Sequence, residues 1–281
     1  MKNNFESISS LEQPTTIGYS FSEASERHPE RNEDSSISDS ENNLYAVFDG
    51  VGGNYGGSEA SQFVGSIIKR YSIFNESENL DENKNYYCEL LNYAHNRLLS
   101  AREKYSKFQE MDTTAAVVKI LKTEGRTVAL AFSVGDSRVY SYRQNRNPPL
   151  KLHTLDDGAI KQQYGNTPDA MKAQEYFDSL QQPPSNPLAG ELFQKRNLIN
   201  NSIGTLKNIG VSVIEVQEGD LLLLTTDGIH DPLTRQEISD TIFINRRNLE
   251  LVPHKLVQKA KNCTNFRRKS DDRTAIVVKI E

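Results

Sequence analysis

Cysteine is scarce in this chain: Cys88 and Cys263 are the only two in 281 residues. A single pair is no disulfide framework, and neither stands in a metal-ligand spacing or a nucleophile motif. A reducing compartment is the expectation. Long apolar runs are missing as well. No stretch approaches the roughly 20 residues of a membrane span, and residues 1–13 are polar, without the apolar segment of a signal peptide. These absences predict a soluble cytoplasmic protein, with export into a host cytosol by a signal-independent route left open. A basic surplus is also lacking. The formal net charge is -5 and the pI about 5.7, which argues against nucleic acid or an anionic membrane as partner. The one basic cluster, Arg267-Arg268-Lys269, reads as a solvated loop. No internal repeat is visible. The expectation is a loose tail over 1–13 followed by one domain over 14–281, acting as a monomer.

What the chain has is a series of short acidic motifs in fixed order: Asn32-Glu33-Asp34, Asp49-Gly50-Val51-Gly52-Gly53, Val134-Gly135-Asp136-Ser137-Arg138, Thr226-Asp227-Gly228 and Asp271-Asp272-Arg273-Thr274. Several follow or open an apolar strand-like run, so a sheet core can gather them. Each alone is weak, because Asp before Gly at a strand end is an ordinary turn, and Asp136 could simply brace its turn. Together they are carboxylates that cannot all ionise in one place unless cations neutralise them. All-oxygen donor sets suit Mg²⁺ or Mn²⁺.

The hydrophobic pattern supplies the frame. Leu44–Phe48 reads as a buried strand ending at Asp49. Gly50, Gly52, Gly53, Gly56 and Gly57 form a flexible turn, and a helix opens near Ser58 with Phe63, Val64, Ile67 and Ile68 on one face. A second helix is predicted over 84–107. Strands follow over 113–121 and 127–134, linked by a hairpin through Thr123-Glu124-Gly125-Arg126, and 139–142 continues the same meander. Residues 144–200, rich in Pro, Gln and Asn, read as a mobile surface excursion, helical around 168–180. Strands over 211–215 and 221–225, helices over 234–243 and 252–262 and a closing strand over 274–280 complete an α+β domain whose terminal strands pair in one sheet.

The ordered motifs resemble those of the metal-dependent serine/threonine protein phosphatases of type 2C, the PPM family, in its bacterial branch, over roughly 18–281. The resemblance implies an α-β-β-α sandwich of two antiparallel sheets flanked by helices. It implies two Mn²⁺ or Mg²⁺ ions and a weaker third, with a phosphorylated protein as substrate. Asp49 would bridge two metals; the Gly50 carbonyl and Asp34 would serve the second, and Asp227 and Asp271 the first. Asp136 with Asp227 would hold the third ion, and Asp272 would stand behind them. A metal-bridging hydroxide would then attack phosphoserine or phosphothreonine, so Asp34, Asp49, Asp227 and Asp271 are the catalytic set. Two alternatives remain at this level: a pseudophosphatase serving as a regulatory binding module, or a phosphatase of a non-protein phosphate ester.

The chain departs from the family pattern in three places. The usual phosphate-binding arginine position holds Pro29, which leaves Arg27 and, second to it, Arg31 as candidates; in an extended strand Arg31 would point away from Asp34. Asp112 stands where Gly is common, and reads as harmless at a strand start. Val51 stands where some members have a proton-donating histidine, with His28 the nearest substitute. Leu155-Asp156-Asp157-Gly158 opens the 144–200 excursion, the family's flap.

Overall fold

The computed structural model describes residues 14–51, 56–73, 77–105, 109–123 and 125–281. The expected tail at 1–13, Gly52 and Gly53 of the expected turn, and Glu124 of the hairpin link lie outside the described residues. In chain order the strands and helices are β1 (Thr16–Glu23), β2 (Ser35–Asp39), β3 (Leu44–Phe48), β4 (Gly50–Val51), α1 (Gly57–Tyr71), α2 (Leu80–Lys104), β5 (Asp112–Thr113), β6 (Ala115–Thr123), β7 (Arg126–Val134), β8 (Arg138–Tyr142), β9 (Leu150–Leu152), α3 (Ala159–Tyr164), α4 (Pro168–Ser179), α5 (Pro187–Gln194), β10 (Gly210–Glu215), β11 (Leu221–Thr225), α6 (Asp227–His230), α7 (Arg235–Asn245), α8 (Leu251–Lys261) and β12 (Arg273–Ile280).

Ten of the strands form two five-stranded antiparallel sheets, ordered β1-β12-β11-β8-β9 and β10-β7-β6-β3-β2, and the short β4 and β5 pair with each other. Four consecutive leucines in β11 show how the sheets stack. Leu222 and Leu224 point between the sheets, against Val47, Val118, Ala131 and Val278. Leu221 and Leu223 point outward, against Ile238, Leu256 and Val257 of α7 and α8. On the far side Phe48, Val117 and Phe132 pack under Val64, Ile68, Leu91 and Leu98 of α1 and α2. A strand covered on both faces has no polar side to show, so its sequence is an unbroken apolar run. The result is the expected α-β-β-α sandwich. The terminal strands pair as expected, with Ser22 opposite Thr274.

Two expectations need correction. β8 does not continue the β6–β7 meander; it pairs with β11 in the other sheet. The chain crosses between sheets at Gly135, whose φ of +93° suits a residue without a β-carbon. The 144–200 excursion is not a loose surface segment. It carries β9 and three helices, and it has its own buried cluster of Leu155, Ile160, Ala170, Phe177, Leu192 and Phe193. Capping holds the helices: Thr167 and Asn186 accept from the first backbone amides of α4 and α5, each followed by Pro at the first helical position.

The layer between the sheets should dominate stability. Leu222→Ala should cost about 2–5 kcal/mol, whereas Val213→Ala on the outer strand β10 should stay within about 0.5 kcal/mol. Urea-unfolding midpoints at equal slope check both.

Candidate active site

All five acidic motifs lie at one end of the sandwich. In the first sheet Thr225 pairs with both Ala275 and Arg138, so Asp227, Asp271 and Asp136 leave the same edge. In the second, Ser35 pairs with Phe48, and Ala115 with Val134, which brings Asp34 and Asp49 to the matching edge. The strand registers thereby gather residues that are more than two hundred positions apart.

The surrounding bonds fix each carboxylate. Asp34 is buried, and its Oδ2 accepts from Thr226 Oγ1 at 2.8 Å and Thr274 Oγ1 at 2.6 Å, both from the opposite sheet. Its Oδ1 is buried without a partner. The Asp49 backbone is held by the Thr113-Thr114 pair. Thr113 Oγ1 and Thr114 N donate to its carbonyl, each at 2.9 Å, and its own N–H donates to Thr114 Oγ1 at 3.0 Å. Gly50 N donates to Glu33 O at 3.2 Å. A β-carbon on Gly50 would lie 2.2 Å from the Gly57 carbonyl, so the strand and the helix start meet only through glycine. Asp272 ties two of the loops together. Its oxygens accept from Ser25 N and Glu33 N, each at 2.6 Å, across a sequence separation of more than 230 residues.

Asp136 is not the brace of its turn. Asp157 does that: it accepts from Gly135 N at 3.0 Å and donates its own N–H to the Gly135 carbonyl at 2.9 Å. Burial and then repulsion from Asp227 hold the Asp136 carboxyl well above the usual range. Asp49 is pushed the same way by burial and by Asp227, Asp34, Asp271 and Asp136 together. Asp34 is raised by burial, against the two threonine bonds. For Asp227 burial outweighs the attraction of Lys269 and lifts the carboxyl to about 6; its Oδ1 is buried and unpartnered. The donors are hard oxygens with spare lone pairs inside a shared negative field. That set fits Mg²⁺ or Mn²⁺.

Sequence reasoning missed Lys269 and Asp231. The Lys269 ammonium touches Asp227 and lies 3.3 Å from Asp231 and 3.2 Å from Asp271. Burial opposes its charge, but these carboxylates overcome it and hold the ammonium well above its ordinary value. The basic cluster is therefore no solvated loop: Arg267 is 1% exposed, and it donates to Phe177 O at 2.8 Å and His230 O at 3.4 Å. Only Arg268 of the three is exposed. Asp231 was findable in principle, since it lies four residues after Asp227 and shares its helical face. Lys269 had only its place two residues before Asp271.

Two further expectations change, the orientation of Arg31 and the part played by Asp112. Residues 25–31 form turns, with His28 N donating to Ser25 O and Arg31 N to His28 O, so strand alternation does not orient Arg31. Arg27 is exposed, and Arg31 pairs with Glu33 at 3.2 Å. His28 is tied into the same turn through Nδ1 and the Arg31 carbonyl, 2.8 Å apart. Asp112 is more than a tolerated substitution: it accepts from Gly204 N and Ser202 Oγ, both at 2.6 Å, and pairs with Arg102 at 3.2 Å. Asp156 of the flap motif, with Asp178, encloses the buried Arg138 guanidinium. Elsewhere, a cavity of about 230 Å³ lined by Ser141, Arg143, Arg146, His153 and Asp220 lies at the opposite ends of β8 and β11 from the carboxylates.

Comparisons with known proteins point one way. The sequence model of one family, Protein phosphatase 2C, matches residues 24–250. A provisionally named protein phosphatase of Mycoplasma genitalium is 26% identical over 277 residues, covering 93% of this chain and 95% of its own length. Among solved structures, the serine/threonine phosphatase Stp1 of Staphylococcus aureus superposes with a TM-score of 0.71 at 22% identity, over 94% of each chain. The serine/threonine phosphatase PstP/Ppp of Mycobacterium tuberculosis gives 0.71 at 22%, over 95% of this chain and 99% of its own. A PstP catalytic domain described in complex with two manganese ions gives 0.69 at 21%, over 94% of this chain and 98% of its own.

If the carboxylates repel as their burial implies, Asp49→Asn should stabilise the metal-free protein at pH 7. Its folded-state pKa is raised, so the folded state binds more protons than the unfolded chain, and Asp49 costs stability as pH rises. Tm in chelator should increase by about 2–4 °C for each kcal/mol of repulsion relieved. The gain should shrink as pH falls and Asp49 protonates. Thermal melts from pH 5 to 7.5 check this; a lower Tm at pH 7 would contradict it.

Proposed function

The chain belongs to the protein phosphatase 2C family and is a phosphoprotein phosphatase, and we propose that it hydrolyses phosphoserine and phosphothreonine using divalent metal ions. One observation supports the reading above the others: carboxylates of five separate motifs converge at one sheet end, Asp34, Asp136, Asp227 and Asp272 buried and Asp49 and Asp271 partly so, with Asp34 Oδ1 and Asp227 Oδ1 left unpartnered. Asp34, Asp49, Asp227, Asp271 and the Gly50 carbonyl would hold two ions, with Asp136 and Asp227 toward a third. Bound there, Mn²⁺ or Mg²⁺ would lower the pKa of a shared water and offset charge on the phosphoryl oxygens.

The chain's own residues supply position. Thr226 and Thr274 hold one oxygen of Asp34 and leave the other without a partner. Thr113 and Thr114 fix the backbone of Asp49, and Asp272 fixes that of Glu33, next to Asp34. Such preorganisation matters because in-line phosphoryl transfer asks the protein mainly for placement and charge. Arg27 is exposed beside these motifs and is the first candidate to orient the phosphate, with Arg31 second. A planar guanidinium can bind two phosphate oxygens at once. The substrate is a phosphorylated protein; the full carboxylate set favours turnover over a binding-only role.

Hydrolysis of a phosphothreonine peptide should vanish in EDTA and return with Mn²⁺. Asp49→Asn and Asp227→Asn should each lower kcat by about 100-fold or more, since each removes charge from the metal cluster. Undiminished turnover in chelator would refute the metal mechanism, and metal uptake with no turnover on any phosphopeptide would favour the pseudophosphatase.

For the phosphate, Arg27→Ala should raise KM by about tenfold, the scale of a lost charge-assisted hydrogen bond, with Mn²⁺ affinity unchanged. Steady-state kinetics beside the same measurement for Arg31→Ala decide between the two arginines.

A further inference from the structure

The ammonium of Lys269 occupies a position that a metal ion would want. It contacts Asp227, and its other near neighbours are Asp271 at 3.2 Å and Asp231 at 3.3 Å. Asp227 and Asp271 are two of the carboxylates assigned above to a divalent ion. An ammonium carries three donors on a compact charge, and here three carboxylates surround it. Asp227 Oδ2 is engaged by the lysine, whereas Oδ1 is buried and empty-handed. A lysine and a divalent cation cannot both take the same lone pairs.

The lysine is also aimed. Its loop is anchored on one side by Arg267, whose guanidinium is buried and bonded to Phe177 O and His230 O. Asn265 Oδ1 accepts from Arg267 N at 2.8 Å and closes the turn. On the other side Asp272 is bonded to the backbone of Ser25 and Glu33. Asp231, which completes the lysine's surroundings, is drawn in from the flap side by Arg196, 3.6 Å away.

We infer that Lys269 is a tethered cation that neutralises Asp227, Asp231 and Asp271 in the metal-free protein, and that a divalent ion must displace it to fill that position. Lys269 thereby sets the metal concentration at which the site loads. The inference rests on the reading of Asp227 and Asp271 as metal ligands. It makes a two-sided demand: removing the charge exposes the carboxylates to one another, which lowers metal-free stability, and it frees their lone pairs, which raises metal affinity. A lysine with a merely structural role would lower both.

The test is Mn²⁺ titration calorimetry on the full chain stripped of metal, with thermal melts in chelator, for the wild type, Lys269→Met and Lys269→Gln. A unit charge at contact distance in a partly buried setting is worth well over a factor of ten, so both variants should bind Mn²⁺ at one position at least about 10-fold more tightly while melting at lower temperature without metal. A variant unfolded in chelator should be refolded by Mn²⁺; one that stays unfolded at saturating Mn²⁺ overturns the inference. Equal or weaker Mn²⁺ binding in both variants also overturns it and leaves the metal reading intact. Absence of Mn²⁺ binding in the wild type and both variants overturns the metal reading itself, and the inference with it.

Discussion

Mutual repulsion among carboxylates at one end of the sandwich is the constraint on which the rest of this structure depends. Asp34, Asp49, Asp136 and Asp227 are each pushed up by burial, and for Asp49 the other carboxylates add to it. Such a cluster persists only if the frame around it is stiff and cations offset the charge. The frame is stiff because both sheets are covered on both faces. The carboxylates leave strand ends whose positions are set by the packing of Leu222, Leu224, Val47 and Val278 between the layers. Threonines from one sheet grip the Asp of the other, so the two sheets are joined chemically at the site as well as by apolar contact.

Alternating charge extends from that cluster into the flap. Arg138 opens β8 two residues after Asp136 and is enclosed by Asp156 and Asp178. Arg267 crosses from the Lys269 loop to the Phe177 carbonyl at the end of α4. Arg196, just beyond α5, reaches Asp231, which in turn faces Lys269. Buried ion pairs of this kind contribute little net stability against apolar replacements, but breaking one partner leaves a costly lone charge. Their effect here is placement: the flap sits on the sandwich through contacts that end at the acidic cluster. His230, at the centre of these cations, is buried, and burial with Arg138, Lys269, Arg267 and Arg196 keeps its imidazole neutral. It bonds Thr225 through Nδ1 at 2.9 Å and serves the packing of α6 against β11.

Much of this could be read from residue order alone. Apolar runs such as Leu44–Phe48 and Leu221–Thr225 announce strands covered on both sides, and the Asp that ends or opens each strand announces a site at the sheet edge. Amphipathic spacing located α1, α7 and α8 to within a residue or two at most ends. Local rules suffice there because strand and helix formation depends on neighbours in sequence, and because each motif carries its own turn chemistry.

Other features were decided only in three dimensions. Nothing local distinguishes a turn that returns to the same sheet from one that crosses to the other, so the change of sheet at Gly135 depends on which strand offers β8 an open edge. Arg267 and Lys269 have the composition of a solvated loop, and become buried only because the flap and the carboxylates close around them. Asp112 acquires its partners, Ser202 and Gly204, from a segment ninety residues away. A side chain's charge environment is the sum of all groups within a few ångströms, and most of those come from distant parts of the chain. The sequence by itself therefore determined the layers and the set of acidic motifs, while the tertiary structure decided which cation stands among those acids.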